Sequence, residues 1–457
     1  MYVYRHPVSP PQAVPATSPP LASLRYLVFT PLLWGALLFI LLREFIKSRK
    51  PRGGRLQDLP LPDDLQGLVH EELDVGGGVR LHAASFGRQP GKPLLLCLHG
   101  FPECWYSWRR QLVAFREQYE VVALDMRGFG WSSKPQGISS YTLEKLTADV
   151  AGAVHALGRR SCTLLAHDWG GAVAWAAAGR YPGLVDRLMV LAGPHWLLYK
   201  ANLTAEQMVR SSYFLMFQMP IFAELLLTHT DGALMDAIWR SGGPSSPIRR
   251  GAASAADVEV YKAAMLQPGA PTATLNYYRA LLMADAGLLP FDKEVERGLR
   301  RRLDDLPVLV VWGAEDHALC LSNMRNVQEV APESEVHVLQ HCSHWIQADQ
   351  PEELQRILDD WLAAHPLSPP ATAAAAAPPA GRPGAARPLP PPTTAAGPPA
   401  GPPSAARPEP LHAAAGPHAG QLELARPPPP PAAAARPEAP PLPQPPAAAG
   451  PREAVDT

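Results

Sequence analysis

The sequence is short of cysteine and carries almost no net charge. Its 457 residues include only 5 cysteines, at positions 97, 104, 162, 320 and 342, and no two of them form a CxxC pair. This spacing argues against a disulfide framework and against a zinc site built on paired thiolates, and it predicts reduced thiols. With 41 basic and 42 acidic residues, the chain also lacks the positive footprint of a nucleic-acid-binding protein.

Proline, by contrast, is abundant and gathered at one end. Residues 366–457 hold 29 of the 54 prolines, mixed with alanine, glycine and a few arginines. Such a segment has too few aromatic and β-branched residues to offset the entropy of ordering, which predicts a disordered tail. Its run Arg426–Pro431 could dock on an SH3-type groove, although a tail with no selected partner is the simpler interpretation.

A long apolar run lies near the other end. Residues 26–42 carry no charge over 17 positions, the short limit for a helix that crosses a bilayer core. We therefore predict a leader over residues 1–25, a transmembrane signal anchor over 26–42 and a basic linker over 43–60. Cations cluster after the run, so the positive-inside rule places the rest of the chain in the cytosol, and we expect the membrane to be the endoplasmic reticulum. The sequon Asn202–Thr204 would matter only in the alternative, luminal orientation.

Between these ends, short apolar runs alternate with amphipathic helical segments. Six runs predict strands, because strands covered by helices on both faces are apolar almost throughout. They lie at residues 94–99, 120–125, 162–167, 188–193, 308–313 and 335–340. The alternation predicts an α/β fold with a doubly wound, mostly parallel sheet. The 114 residues between Gly193 and Val308 predict an inserted helical cap, because a structureless loop of that length is uncommon. The predicted domains are a first core part over 61–195, a cap over 196–300 and a second core part over 301–365.

Polar segments follow these strands, where open α/β sheets place their active sites. HGFPE occupies residues 99–103, AHDWGG occupies 166–171, and a third segment is split between 313–316 (GAED) and 341–345 (HCSHW). The small residues around Asp168 fit a sharp turn that exposes the central side chain above the sheet. Nucleophile, acid and histidine then follow in the chain order of α/β-hydrolases, with aspartate in place of serine.

An aspartate at this turn changes the chemistry. A carboxylate needs no base to attack a saturated carbon, and the attack leaves an alkyl ester. A histidine can then activate water to attack the ester. The backbone N–H groups of Phe101 and Trp169 are the predicted donors that stabilise the resulting oxyanion.

Two positions in the third segment have rivals. His344 is the predicted base, and His341 competes with it. Asp316 is predicted to orient the base, and Glu315 competes with it. A metal site on the two histidines is disfavoured, because carboxylate or thiolate ligands at a suitable spacing are lacking.

With these motifs in hand, the sequence resembles an epoxide hydrolase of the α/β-hydrolase superfamily. It is most similar to the membrane-anchored vertebrate subgroup, epoxide hydrolases 3 and 4, and the resemblance spans about residues 65–363. The passages that carry it are HGFPECWYSWRRQL (99–112), VVALDMRGFG (121–130), LLAHDWGGAVAW (164–175), SSYFLMFQMP (211–220), LNYYRALL (275–282), WGAEDHAL (312–319) and SHWIQADQPEEL (343–354).

The resemblance implies a role for each residue. Asp168 would attack an epoxide carbon, and two cap tyrosines, Tyr213 and Tyr278, would donate a hydrogen bond and a proton to the epoxide oxygen. His344, oriented by Asp316, would activate the water that releases a vicinal diol. The resemblance implies no metal and no organic cofactor. Lipophilic epoxides, such as epoxy fatty acids or xenobiotic epoxides, are the expected substrates.

Two other functions stay open on the sequence. Haloalkane dehalogenases share the aspartate and the tryptophan after it, but many carry asparagine where this chain has Phe101, and they lack the tyrosine pair. A catalytically silent membrane scaffold could instead recruit partners through the proline-rich tail. A serine esterase is disfavoured, because the sequence contains no G-x-S-x-G motif.

Overall fold

The computed structural model describes residues 2–4, 54–59, 61–241 and 247–367. The predicted membrane anchor lies outside these residues, as do most of the leader and linker and nearly all of the proline-rich tail. Within the described ranges, no helix combines the length and the apolar character that a membrane span requires.

The described strands form one nine-stranded sheet in the order β1-β9-β8-β7-β6-β4-β5-β3-β2. They are β1 (Tyr2–Tyr4), β2 (Val69–Gly76), β3 (Val79–Ser85), β4 (Leu94–Leu98), β5 (Glu120–Leu124), β6 (Cys162–His167), β7 (Val185–Leu191), β8 (Val308–Gly313) and β9 (Glu335–Leu339). Strands β4 to β9 pair in parallel, whereas β1, β2 and β3 pair antiparallel at the two edges. The predicted mostly parallel α/β sheet is confirmed.

The described ranges also hold fourteen α-helices. They are α1 (Arg109–Phe115), α2 (Leu143–Ala156), α3 (Trp169–Arg180), α4 (Trp196–Ala201), α5 (Ala205–Arg210), α6 (Tyr213–Phe217), α7 (Phe222–Thr228), α8 (Ala233–Ser241), α9 (Ala255–Met265), α10 (Ala270–Asp285), α11 (Lys293–Leu299), α12 (Val327–Val330), α13 (Ile346–Asp349) and α14 (Pro351–Ala364). Every residue of β4, β5, β6 and β8 is buried, because helices cover both faces of the central sheet.

Helices α4 to α11 fill the long connection between β7 and β8. Helix α9 contacts the core where the hydroxyl of Tyr106 donates to Asp257 over 2.9 Å and Arg109 pairs with the same carboxylate at 3.1 Å. Helix α11 packs against α3 so closely that a Cβ on Gly179 would overlap the carbonyl oxygen of Gly298. The inserted helices are therefore fixed to the core at the level of both α9 and α11.

Candidate active site

Asp168 sits on a strained turn between β6 and α3. Its backbone adopts φ 49° and ψ −117°, a conformation that an L-residue rarely takes and that turns the chain sharply from strand to helix. The HGFP loop lies directly against it, because Gly100 has no side chain, and a Cβ there would overlap the Asp168 side chain. The backbone N–H of Phe101 donates to Oδ1 of Asp168 over 2.8 Å. Trp169, the other predicted donor, is the first residue of α3.

A histidine and a second aspartate complete the polar centre. Nε2 of His344 lies 3.6 Å from Oδ2 of Asp168, and Nδ1 of His344 lies 2.8 Å from Oδ2 of Asp316. The other oxygen of Asp316 accepts the backbone N–H groups of Ala318 and Leu319, each over 2.8 Å. Asp316 is thus held at both oxygens, and this fixes the plane of the imidazole in front of Asp168.

The charges of this centre support each other. Burial alone would raise the pKa of Asp168, but the hydrogen bond and the charge of His344 outweigh it and lower the pKa below the ordinary value. Burial alone would lower the pKa of His344, but the carboxylates of Asp316 and Asp168 raise it well above 6.5. The ionised form of Asp168 and the protonated form of His344 therefore stabilise each other.

Two tyrosines face this centre from the cap. Tyr278 on α10 is buried and Tyr213 on α6 is half-buried, with 5.8 Å between their ring centroids. The ring of Tyr278 also packs edge to face against Trp169 and Phe214, with ring centroids 5.0 Å and 4.8 Å away. Burial is the largest cause that raises the pKa of Tyr278 well above 10, and the charges of Tyr213 and of the nearby Asp168 carboxylate act in the same direction. Burial and then the same carboxylate raise the pKa of Tyr213. Both phenols are therefore protonated donors at neutral pH.

The rival residues lie elsewhere. The His341 side chain is 87% exposed, and its Nδ1 is 3.1 Å from Glu315. Glu315 also pairs with Arg250 of the cap connection, so its carboxylate is directed away from His344. The structure thus brings Asp168, Asp316 and His344 together and leaves His341 and Glu315 at the surface.

One buried network at the site was not anticipated from the sequence. Oε2 of Glu103 accepts from Nδ1 of His167 over 2.7 Å and from the N–H of Gly100 over 3.2 Å. Its Oε1 accepts from Gln347 over 2.9 Å, and Nε2 of His167 donates to the carbonyl oxygen of His344 over 2.9 Å. The network ties the HGFP loop, the end of β6 and the His344 loop into one unit. The sequence did contain a signal for this network, since Glu103 is the last residue of the HGFPE segment and His167 immediately precedes Asp168.

A mostly apolar cavity opens in front of Asp168. Aromatic and aliphatic side chains of the core and cap line it, among them Trp169, Trp196, Tyr199, Tyr213, Phe214, Leu281 and Leu319. Such a lining suits a lipophilic ligand, and it contains the phenol of Tyr213, whose ring centroid is 5.8 Å from that of Tyr278. Among the residues that the structure describes, no group of three or more His, Cys, Asp or Glu side chains is placed to hold a metal ion.

Comparison with known families agrees with this geometry. A sequence model of the alpha/beta hydrolase fold matches residues 93–351, more than half of the chain. The chain belongs to the α/β-hydrolase family. This membership accounts for the strand order, the strained turn and the order of the polar residues along the chain.

Several of its relatives within the family are named epoxide hydrolases. Epoxide hydrolase 4 of Mus musculus is 36% identical over 279 residues, which cover 60% of this chain and 74% of the relative. Epoxide hydrolase 3 of Xenopus tropicalis is 34% identical over 294 residues, which cover 62% and 75%. Among solved structures, an epoxide hydrolase from Bacillus megaterium in complex with an inhibitor matches with a TM-score of 0.55 and 30% identity, covering 65% of this chain and all of that one.

Proposed function

We propose that this α/β-hydrolase is an epoxide hydrolase that converts lipophilic epoxides to vicinal diols through an aspartyl ester. The observation that carries the proposal is a carboxylate nucleophile at an apolar cavity that Tyr213 also lines, with the protonated phenol of Tyr278 beside Tyr213. The relatives named epoxide hydrolases support the same assignment.

In the first step, an oxygen of Asp168 attacks an epoxide carbon. The C–O bond to the ring oxygen breaks as the new ester C–O bond forms, and the electron pair moves to the ring oxygen. Tyr213 and Tyr278 donate hydrogen bonds to that oxygen, and one of them transfers its proton. A phenol suits this task, because an alkoxide is far more basic than a phenolate and takes the proton as the ring opens.

Before the second step, the phenolate left by ring opening regains a proton by way of the His344 imidazolium. The neutral imidazole of His344 then takes a proton from a water molecule that attacks the ester carbonyl. The N–H of Phe101, which contacts Oδ1 of Asp168 in the resting site, is placed to stabilise the oxyanion, and we assign the N–H of Trp169 as its partner. Collapse of the intermediate restores the Asp168 carboxylate and releases the diol. Asp316 stabilises the imidazolium that forms in this step.

The test uses the full chain and its His344→Gln variant, each incubated with an epoxy fatty acid and separately with a haloalkane. We expect diol from the parent, and in the variant an increase in intact mass equal to the epoxide, located on Asp168 by peptide mapping. Halide release and an adduct from the haloalkane alone would replace the proposal with dehalogenation. If neither compound gives a product or an adduct, the result would favour the alternative of a catalytically silent membrane scaffold.

We also propose that residues 26–42 anchor the enzyme in the endoplasmic reticulum membrane with the catalytic domain in the cytosol. A span at these residues would place residues 2–4 on the luminal side, so this proposal and the pairing of β1 with β9 exclude each other, and the experiment below decides between them. The uncharged run and the cations after it support this proposal. The expected result is resistance to alkaline carbonate extraction together with digestion of the domain by protease added to intact microsomes. A glycosidase-sensitive mass shift that Asn202→Gln abolishes would instead establish the luminal orientation. Any partner of the proline-rich tail stays a prediction.

A further inference from the structure

Most of the exposed large apolar side chains of the described residues belong to the cap. Seven of them, here called the cap patch, are Leu203, Met208, Val209, Leu215, Met219, Ile221 and Leu288. Leu215, Ile221 and Leu288 are each more than 70% exposed. Only two further large apolar residues are comparably exposed in the described ranges, Val69 on an edge strand and Leu321. A monomer seldom concentrates its exposed apolar residues in this way unless the surface meets a partner or a membrane.

One residue of the cap patch, Leu215, directly follows side chains that line the cavity in front of Asp168. Leu215 follows Tyr213 and Phe214 on the five-residue helix α6, and those two side chains line the cavity. Leu288 follows α10, the helix that carries Tyr278. The short helix α6 thus carries Tyr213 and Phe214 on the cavity wall, whereas its Leu215 is exposed.

The charges beside the cap patch are paired. Arg210 binds Glu206 one helical turn away on α5, and Lys200 at the end of α4 binds Asp285 at the end of α10 over 2.6 Å. The paired charges leave little net repulsion toward lipid, and exposed ion pairs of this kind cost little to rearrange at an interface.

The chain that leads from the predicted anchor arrives on the cap. Nε2 of Gln267, just after α9, donates to the carbonyl oxygen of Gly54 over 2.6 Å, and Gly54 packs against Ala263 of α9. Only residues 43–53 separate Gly54 from the uncharged run, and eleven residues span at most about 40 Å. The same linker is rich in cations that attract anionic lipid headgroups. With the proposed anchor in the membrane, this linker would keep Gly54 and the adjoining α9 of the cap within about 40 Å of the bilayer.

We propose that the cap patch docks into the acyl region of the bilayer in which the chain is anchored, so that lipophilic epoxides enter the cavity directly from the membrane. The proposal rests on the proposed anchor and on the proposed reaction, and it commits to lipid as the occupant of the patch. A second copy of the chain, or the chain's own apolar run folded onto the patch, are the competing occupants.

The decisive experiment measures lipid contact in the full chain. The five native cysteines are buried, so a cysteine at Leu215 can be labelled selectively with an environment-sensitive fluorophore. The matched control is a cysteine at Arg297, an exposed position on α11, which packs against the core helix α3. Both proteins are reconstituted in phosphatidylcholine and phosphatidylserine vesicles whose acyl chains carry a nitroxide quencher.

We expect strong quenching of the label at Leu215→Cys and little quenching at Arg297→Cys. Equal quenching at the two positions would overturn the proposal. A blue-shifted label at Leu215→Cys without quenching would also overturn it, because protein, either a second copy or the chain's own run, would then cover the patch.

A kinetic comparison separates docking from chemistry. Met208→Glu combined with Leu215→Glu is expected to lower the turnover of a long-chain epoxide dissolved in vesicles about tenfold, because two apolar side chains leave the hydrocarbon. Hydrolysis of a small water-soluble epoxide should change by less than about twofold. The control, Val69→Glu, makes the same exchange on the edge strand β2 and should leave both rates unchanged. Equal losses on both epoxides would overturn the docking proposal, whereas absence of turnover in the parent would overturn the reaction and leave the quenching result to decide docking.

Discussion

Replacing either cap tyrosine by phenylalanine is expected to slow ester formation and to leave ester hydrolysis nearly unchanged. Tyr213→Phe and Tyr278→Phe each remove one hydroxyl from a pair of tyrosines whose ring centroids are 5.8 Å apart. The exchange keeps the ring and therefore the packing of the cavity. The hydroxyl acts on the leaving oxygen, which is already protonated when water attacks the ester.

The size of the effect follows from the number of hydrogen bonds. Each phenol gives the developing alkoxide one charge-assisted hydrogen bond, worth about 1.5–3 kcal/mol. Because 1.36 kcal/mol corresponds to a factor of about ten in rate, each single variant should slow ester formation about 10- to 150-fold. The double variant loses both bonds and the proton source, and we expect a loss of about 10² to 10⁴.

The assay isolates the first step by placing each variant in the His344→Gln background. Rapid mixing with epoxide, followed by acid quench and intact-mass measurement, gives the rate at which the adduct accumulates. Tyr277→Phe is the matched control, since Tyr277 is the neighbouring buried tyrosine and its hydroxyl donates to the carbonyl oxygen of Arg127 over 2.7 Å. The control should lose about 1 kcal/mol of stability and keep its rate of ester formation.

Two results would refute this reasoning. The first is a loss of less than about threefold in both single variants, since a hydrogen bond to a developing charge is worth more than that. The second is an equal slowing in Tyr277→Phe, because the effect would then reflect cap packing rather than proton donation.

Three further outcomes are expected. Asp168→Asn removes a carboxylate that raises the pKa of His344, so the imidazole should titrate at a lower pH than in the parent by ¹⁵N NMR, and an unchanged titration would contradict the assigned pair. Glu103→Ala leaves three buried donors without their acceptor and should lower the free energy of unfolding by about 3 kcal/mol in chemical denaturation. Gly179→Ala forces a Cβ into the backbone of α11 and should cost about 3 kcal/mol, whereas Gly91→Ala, which meets nothing within 4 Å, should be neutral.

The central sheet could be predicted from the sequence because its strands are buried on both faces. Continuous apolar runs such as 94–98 and 308–313 have no competing interpretation once helical segments lie between them. The β2–β3 hairpin was missed. The residues of β2 are mostly exposed or half-buried, so its hydrophobic signal is weak, and the hairpin turn is marked only by Gly76–Gly78.

The convergence of the site could be predicted for a different reason. Parallel strands end at one edge of the sheet, so segments that follow β4, β6, β8 and β9 must meet there. Distinguishing between neighbouring residues needed three-dimensional geometry. His341 and His344 are three residues apart and chemically identical, and only the fold shows that the first faces solvent while the second is held by Asp316. The Glu103 network was unpredictable for the same reason, since its members come from separate parts of the chain.

In the proposed mechanism, the charges of the site also set the order of the two steps. His344 lowers the pKa of Asp168, so the carboxylate is ionised and ready to attack, but the same contact keeps the imidazole protonated and unable to act as a base. Ester formation neutralises Asp168 and removes one of the two charges that raise the pKa of His344. The proton can then leave the imidazole, and Asp316 alone stabilises the imidazolium that forms when water attacks. His344 therefore becomes able to act as a base only after Asp168 has been alkylated. A serine at this turn is neutral before the reaction, so it could not control the protonation of His344 in this way.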